Sequence, residues 1–288
     1  MKEGQASQTA VMVCMGRAIA HIERTVPGFS DPTALVLLPD EARARVEKFQ
    51  ADPAPKRGRD RIAHTFVERR SQMMAVRTVA IDEAVRAARA PQVVILGAGL
   101  DGRAWRMPEL GSAVIFEVDH PDTQREKIAR AASLVRVAGE VRFVPVDFTR
   151  DRLDDKLAAA GHDPTRPTTW IWEGVVMYLT RAEVEATLEV VARRSTPGSR
   201  LVVAYAAPGL LLPLVHFMLK RIGEPFRSVY SAAAMKKLLA AHGFTVIRDQ
   251  DIPSLARPLS DRVWRATRRL RHIRIVVADA RAGTASPY

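Results

Sequence analysis

From residue 92 onward, short runs of apolar and β-branched residues alternate with stretches whose apolar residues recur every three or four positions. The short runs have the length of strands, and the stretches between them have the period of amphipathic helices. Near-continuous apolar strands are typical of a parallel sheet that helices cover on both faces. The alternation therefore predicts a doubly wound α/β fold with a largely parallel sheet.

The same pattern predicts where the strands lie. Seven are expected, at residues 92–96, 113–119, 141–148, 168–175, 200–206, 244–252 and 272–280. No clear helical period separates the last two, so we expect the final strand to run antiparallel. The first 90 residues have a mostly helical pattern, with amphipathic stretches at residues 9–26 and 64–89.

Composition limits the classes of protein that this chain can belong to. Cys14 is the only cysteine, which excludes a disulfide framework or a thiolate zinc site and indicates a reducing cytoplasm. The first residues contain no long apolar run after a basic start, so we expect no secretory signal. The uncharged run 201–219 contains two prolines, a glycine and a histidine that argue against a membrane span. We expect no bound metal and no contact with a membrane.

The chain is basic, with 44 Lys and Arg against 32 Asp and Glu. Two basic stretches, 56–61 and 257–281, contribute much of this charge. Aromatic residues make up 6% of the chain and do not interleave these stretches as a base-stacking surface would require. The charge indicates a solvated surface that attracts acidic small molecules, and we expect no nucleic-acid partner.

The first predicted strand runs into the turn GAGLDG at residues 97–102, which matches the letters of a dinucleotide-binding turn. Gly97 lets the chain leave the strand sharply, and Gly99 lets a ligand approach the main chain. A dinucleotide would place its pyrophosphate over the following helix, where Asp101 would repel it. S-adenosylmethionine carries an ammonium and a sulfonium, so the acidic residue favours this methyl donor over NAD.

Acidic residues also end the second and third predicted strands. Glu117 and Asp119 lie about twenty residues past the glycines, where a carboxylate can accept both ribose hydroxyls. Asp147, followed by Phe148, can accept from an adenine amino group while the ring stacks beside it. The chain contains none of the catalytic signatures of hydride transfer, serine hydrolysis or phosphate-loop chemistry.

Taken in order, four segments identify a family resemblance: VVILGAGLDGRAWRM, VIFEVDHPDTQREK, VRFVPVDF and WIWEGVVMYLT. They resemble the leucine carboxyl methyltransferase family, in its bacterial branch of S-adenosylmethionine-dependent O-methyltransferases. The resemblance implies a class I methyltransferase fold, with a Rossmann-like seven-stranded sheet that is mostly parallel and has an antiparallel last strand. It further implies an N-terminal helical cap at 1–90, a donor-binding α/β domain at 91–288 and a lid at about 207–229.

The resemblance also implies roles for individual residues. The glycine turn would wrap the amino acid end of the donor, Asp119 would hold the ribose, and Asp147 with Phe148 would flank the adenine. Arg77 would bind the donor's carboxylate, and Glu173, at the end of the fourth strand, would face the donor's amino group. The residues expected at the donor site are Arg77, Gly97, Ala98, Gly99, Asp101, Glu117, Asp119, Asp147, Phe148 and Glu173. Gly102 is a departure, since related sequences usually have Thr or Ser there.

Methyl transfer to a carboxylate needs no general base, because the carboxylate is ionised at neutral pH. Tyr178 and His216 are the candidate catalytic residues for a phenol or hydroxyl acceptor, with His120 as a further candidate. No base lies obviously near the motifs, which favours a carboxylate. The apolar stretch 210–219 indicates an apolar or aromatic acceptor, such as a polyketide-like acid of secondary metabolism.

The prediction is therefore an O-methyltransferase that acts on a small molecule and converts S-adenosylmethionine to S-adenosylhomocysteine, as a monomer or homodimer. A phenol or hydroxyl acceptor is the nearest alternative. An NAD-dependent oxidoreductase is disfavoured by Asp101. A further alternative is an inactive cofactor-binding regulator whose basic surface binds nucleic acid.

Overall fold

The computed structural model describes residues 8–52, 57–147, 150–209 and 226–281. Within these ranges no helix combines the length and the apolar character that are needed to cross a bilayer. Phe148, His216 and most of the predicted lid lie outside the described residues.

Seven strands of the described chain form one sheet, in the order β3-β2-β1-β4-β5-β7-β6. Neighbouring strands among β1 to β5 are parallel, and β7 runs antiparallel to both β5 and β6. This confirms the predicted class I methyltransferase sheet with an antiparallel last strand. The strands are β1 (Gln92–Leu96), β2 (Val114–Asp119), β3 (Glu140–Pro145), β4 (Thr168–Trp172), β5 (Arg200–Ala206), β6 (Phe244–Asp251) and β7 (Ile273–Ala280).

Helices precede the sheet and cover its two faces. Four helices come before β1: α1 (Gln8–Glu23), α2 (Thr33–Leu37), α3 (Asp40–Ala51) and α4 (Gly58–Ala88). The others described are α5 (Arg103–Arg106), α6 (Pro121–Ala131), α7 (Leu153–Ala159), α8 (Arg181–Arg193), α9 (Ala232–Ala241), α10 (Ile252–Ala256) and α11 (Asp261–Thr267). The division into a cap at 1–90 and a donor-binding domain stays a prediction.

Successive side chains of β1 point into two different hydrophobic cores. Val93 and Ile95 pack with the second half of α4, while Val94 and Leu96 pack on the opposite face with residues such as Trp170. All five of these side chains are almost fully buried. Each of the four β1 side chains contributes about 1.5–3 kcal/mol to stability through removal of apolar surface from water. This burial on both faces holds β1 rigidly at the centre of the sheet.

Strand register determines which residues meet at the carboxyl edge of the sheet. Leu96 of β1 lies level with Val118 of β2 and with Trp172 of β4. The residues that follow are Gly97, Asp119 and Glu173, so three segments far apart in the sequence reach this edge side by side. Ligands of open α/β sheets bind at this edge.

Between β6 and β7 the structure contains two short helices, α10 and α11, where the sequence shows no clear helical period. They have five and seven residues. Each begins with a side-chain cap, from Asp251 and Ser260 respectively. Two turns or fewer are too short for a periodic pattern to stand out, so capping is the signal that sequence analysis missed.

Candidate functional site

The glycine turn follows β1 with two residues in the left-handed region, Gly97 at φ +69° and Gly99 at φ +49°. The N–H groups of Gly97 and Ala98 both donate to the carbonyl oxygen of Val118, at 2.8 and 2.9 Å. The N–H of Gly99 donates to Oδ2 of Asp119. The turn is thus tied to the end of β2 by three hydrogen bonds.

The missing side chains of these glycines make room for other parts of the chain. A Cβ on Gly97 would lie 2.3 Å from Cγ2 of Val175, and a Cβ on Gly99 would lie 3.0 Å from the Cβ of Ala10 in α1. We expected Gly99 to admit a ligand, and the structure places α1 against it. Helix α1 therefore forms a wall beside the turn.

Asp119 presents a partly exposed carboxylate at the end of β2. Its Oδ1 accepts from the N–H of His120 at 2.6 Å, and its Oδ2 accepts from Gly99. Burial raises the pKa of Asp119, although these two hydrogen bonds act in the opposite direction. Among the described residues no cation forms a salt bridge with it, so the carboxylate retains capacity to accept further hydrogen bonds.

Asp101 is turned toward the protein. Its Oδ1 accepts from the N–H of Arg103 at 2.7 Å, and its Oδ2 pairs with the guanidinium of the same residue. Burial alone would raise the pKa of Asp101, but the charge of Arg103 and nearby cations holds that pKa well below its usual range. The carboxylate is therefore ionised, and Arg103 largely neutralises it.

Arg103 is completely buried and joins three carboxylates. Its Nε lies 2.8 Å from Asp82, its Nη2 lies 3.1 Å from Glu173, and its Nη1 pairs with Asp101. Arg106 also binds Asp82, at 2.6 Å. These contacts connect α4, the glycine turn and the end of β4.

Arg77 and Glu173, both expected to bind the donor, contact each other. Arg77 Nε lies 2.7 Å from Oε1 of Glu173. Burial alone would raise the pKa of Glu173, but the guanidinium groups of Arg77 and Arg103 lower it. The structure thus holds a cation and an anion side by side, within reach of the turn.

At its other end the network continues to α1. Asp31, just before α2, lies 3.6 Å from Arg106 and 3.2 Å from Arg17, which also donates to the carbonyl oxygen of Leu100 at 2.5 Å. The connected charges are four cations and four anions, so the network is formally neutral. Its members are Arg17, Arg77, Arg103, Arg106, Asp31, Asp82, Asp101 and Glu173.

Glu117 is fully buried and pairs with Lys127 of α6 at 2.5 Å. Lys127 also lies over the ring of Trp105, with Nζ 5.3 Å from the ring centroid. Burial raises the pKa of Glu117 to about 7, although Lys127 acts to lower it. A contact of Glu117 with the donor would require this ion pair to open.

Asp147 lies beyond β3, with a partly exposed side chain whose Oδ2 is 3.7 Å from Arg150. Its backbone N–H donates to Asp151 at 2.9 Å. His120 caps α6, where its Nδ1 accepts from the N–H of Asp122 at 3.3 Å. That contact gives His120 a structural role. Asp147 itself lies just past the end of β3, where the adenine is predicted.

A cavity of about 510 Å³ opens beside Arg77. Tyr178 borders it and packs on Phe226, with ring centroids 5.8 Å apart. Most of the remaining wall is apolar, with side chains such as Val13, Met73, Met74, Met177, Leu270 and Ile273. The charged residues that line it within the described ranges are all arginines, namely Arg69, Arg70, Arg77, Arg265, Arg268 and Arg269.

Among the arginines of the cavity wall, Arg70 lies on α4 seven residues before Arg77. Its Nη1 lies 3.6 Å from Sδ of Met12. Burial lowers the pKa of Arg70, and no carboxylate of the described chain pairs with it. Sequence analysis missed Arg70, although its spacing of two helical turns from Arg77 was a usable signal.

His272 also borders this cavity, and burial lowers its pKa below the ordinary range. It is therefore neutral at physiological pH. Sequence analysis did not select it, because the chain has seven scattered histidines and no motif surrounds this one. Within the described ranges, no group of three or more histidine, cysteine or acidic side chains is arranged to hold a metal ion.

The known proteins that this chain resembles in sequence are methyltransferases by family or by provisional name. The family model for leucine carboxyl methyltransferase matches residues 10–192. A protein from Mycobacterium avium, provisionally named an S-adenosyl-L-methionine-dependent methyltransferase, is 38% identical over 215 residues, which are 70% of this chain and 68% of that protein. A protein of the same provisional name from Mycolicibacterium gilvum is 35% identical over 70% of this chain and 66% of its own length. In two further curated relatives, from a Mycobacterium strain and Frankia alni, the matched part spans 46% and 70% of their length.

Among solved structures, a DUF574 family protein from Streptomyces avermitilis has a similar fold. The TM-score is 0.59, and the match covers 97% of this chain and 99% of that one at 11% identity. At this identity the likeness concerns the fold alone.

Proposed function

The chain belongs to the leucine carboxyl methyltransferase family of S-adenosylmethionine-dependent methyltransferases, and we propose that it methylates the carboxylate of an apolar small molecule. The observation that carries this proposal is the cavity beside Arg77. Its wall is apolar, and its described charged lining consists of arginines without a carboxylate. Such a cavity selects an apolar anion, and a carboxylic acid meets both conditions.

The residues at the carboxyl edge fit the donor. Asp119 accepts from two backbone N–H groups and has no cationic partner among the described residues, so it can accept from ribose hydroxyls. Arg77 and Glu173 offer opposite charges to the carboxylate and ammonium of the donor's amino acid part. Ala98 and Asp101 belong to the turn beside them, and Asp147 with Phe148 is proposed to flank the adenine.

S-adenosylmethionine supplies a methyl group bonded to a positively charged sulfur. The new C–O bond forms as the C–S bond breaks, and the bonding pair stays on sulfur. The chain needs no general base for this step, because a carboxylate attacks without losing a proton. The protein's contribution is to align the acceptor and to exclude water, which the apolar wall and α1 can do.

We assign the acceptor's carboxylate to Arg70. Its guanidinium faces the cavity without a described carboxylate partner, whereas Arg77 is engaged by Glu173. Hydrogen bonds to charged groups contribute about 1.5–3 kcal/mol, which corresponds to roughly 10- to 150-fold in binding. Arg70 would therefore position the acceptor while leaving donor binding unaffected.

The test is a methyl-transfer assay with a panel of apolar carboxylic acids, the corresponding amides, and phenols. We expect turnover of acids only, and a fall in kcat/KM of at least about tenfold in Arg70→Gln, with affinity for S-adenosylhomocysteine unchanged. Arg45→Gln, an exposed arginine on α3, is the matched control. Turnover of phenols but not acids would replace the carboxylate with a hydroxyl acceptor and would call for Tyr178 to be tested as the base.

We propose a cytoplasmic enzyme of secondary metabolism, acting as a monomer or homodimer, with residues 1–90 as a cap over the donor site and a lid at about 207–229. His216, in that lid, stays a candidate catalytic residue outside the described chain.

A further inference from the structure

A groove of about 360 Å³ adjoins the cavity and lies between α4 and α11. Arg69, Arg265 and Arg268 line both spaces. Arg69 belongs to α4, Arg265 belongs to α11, and Arg268 follows α11 directly. Two separate elements thus bring three guanidinium groups to the junction of the cavity and the groove, which is the mouth of the cavity.

These three arginines are exposed and have no counterion in the described chain. Among the described residues that line the groove, Glu68 is the one carboxylate, and it is engaged by Arg262 at 3.2 Å and by Gln72 at 3.5 Å. By contrast, the arginines of the buried network are all paired. Like charges that share a groove repel one another, and a bound anion would remove that repulsion.

The groove is set apart from the donor site. Arg69 precedes Arg77 by eight residues on the same helix, which corresponds to about 12 Å along the helix axis. A ligand that reaches from the methyl-transfer position to the groove must therefore be long. Its middle part would lie against the methionines and other apolar side chains of the cavity.

We propose that the mouth of the cavity is an anion site that binds a phosphate or diphosphate ester at the far end of the acceptor. Planar guanidinium groups bind phosphate oxygens with two parallel hydrogen bonds, and three of them match the charge of a diphosphate. The acceptor is then an apolar acid with a phosphorylated tail. This assignment rests on the proposed function for the acceptor's identity, but the anion site stands on the arginines alone.

The direct test is calorimetric titration of the full chain with inorganic pyrophosphate and with inorganic phosphate. We expect saturable binding, tighter for pyrophosphate, that weakens at least about tenfold in Arg265→Gln/Arg268→Gln. The matched control, Arg45→Gln/Arg136→Gln, removes the same charge from exposed positions elsewhere. It should leave binding within about twofold, because screening limits the effect of distant surface charges.

An equal loss in both double variants, or no saturable binding, would overturn the proposal. Tighter binding of a short single-stranded oligonucleotide that depends on Arg265 and Arg268 would also overturn it and would indicate a nucleic-acid surface. S-adenosylhomocysteine binding, measured on the same preparations, separates the two proposals. If it is absent while pyrophosphate binds, the proposed function fails and the anion site remains.

Steady-state kinetics test whether the anion site binds the acceptor. An apolar acid with a terminal phosphate ester should have a higher kcat/KM than its dephosphorylated form, and Arg265→Gln/Arg268→Gln should remove that difference by raising KM. A preference that survives in this variant would contradict the assignment.

Discussion

Arg103 is the residue on which the buried charges depend. Its side chain is 1% exposed and contacts Asp82, Asp101 and Glu173, each itself at most 13% exposed. Three carboxylates in the interior would repel one another without this cation. Replacement of one partner in a buried ionic cluster leaves an uncompensated charge, which is far costlier than loss of a surface ion pair.

We therefore expect Arg103→Met to lower the free energy of unfolding by about 3–5 kcal/mol, a fall in Tm of roughly 10 °C. Arg45→Met, at an exposed position without a described partner, should change it by no more than about 0.5 kcal/mol. Thermal unfolding monitored by circular dichroism measures both. Equal, small shifts would show that the carboxylates do not rely on Arg103.

Glu117 gives stability a defined dependence on pH. Burial raises its pKa from an ordinary value of 4.5 to about 7. A carboxyl with a higher pKa in the folded state takes up its proton more readily when folded. Its contribution to stability is therefore present at low pH and lost as pH rises from about 4.5 to about 7.

The double variant Glu117→Gln/Lys127→Met removes this dependence without leaving an unpaired buried charge. Relative to the variant, the wild-type protein should lose up to about 3 kcal/mol as pH rises through that window. Unfolding curves at several pH values measure the difference, and groups common to both proteins cancel. Parallel pH profiles would show that Glu117 does not titrate in this range.

The first residue of α2 packs directly against the glycine turn at Gly102. A Cβ on Gly102 would lie 1.9 Å from Oγ1 of Thr33 and 3.1 Å from its Cβ. That hydroxyl donates to Asp31 at 2.6 Å. The sequence shows Gly102 only as a departure from related sequences, and the structure supplies the reason: the hydroxyl of Thr33 occupies the position that a side chain there would need.

A double-mutant cycle tests this packing. Gly102→Ala should destabilise the protein by about 1–3 kcal/mol, and Thr33→Ala should relieve part of that cost. We expect a coupling energy of about 0.5–3 kcal/mol from urea unfolding. Gly102→Ala combined with Thr187→Ala, at a partly exposed position on α8, should be additive. Additivity in both cycles would rule out the close approach of Thr33.

The elements also show where sequence patterns succeed and fail. β1 and β5 lie within the predicted bounds because buried apolar runs with clear ends specify strands. β4 ends at Trp172, three residues before its predicted end, since Glu173 enters the ion network and leaves the ladder. Which charged side chains form ion pairs depends on contacts between segments that are far apart in the sequence. Local sequence patterns carry no information about such contacts.

The folded sheet brings together charged residues that lie far apart in the sequence. Arg77 and Glu173 are 96 positions apart, yet they form an ion pair at the carboxyl edge. The family resemblance implied both residues at the donor site, but not their contact with each other. Arg70 was missed because no motif surrounds it, and the arginines of α11 were predicted only as members of the basic stretch 257–281. The folded cavity gives these arginines a common environment.

We propose that the carboxyl edge of the sheet binds the methyl donor through Asp119. The most direct test is calorimetric titration with S-adenosylhomocysteine, with NAD as the control ligand. Asp119→Ala is compared with Asp155→Ala, which removes an exposed carboxylate on α7.

We expect micromolar binding of S-adenosylhomocysteine alone, lost in Asp119→Ala and kept in Asp155→Ala, with thermal unfolding confirming that both variants fold. Absence of binding to folded protein that is free of copurified donor or product would overturn donor binding at this edge, as would binding of NAD at the same site.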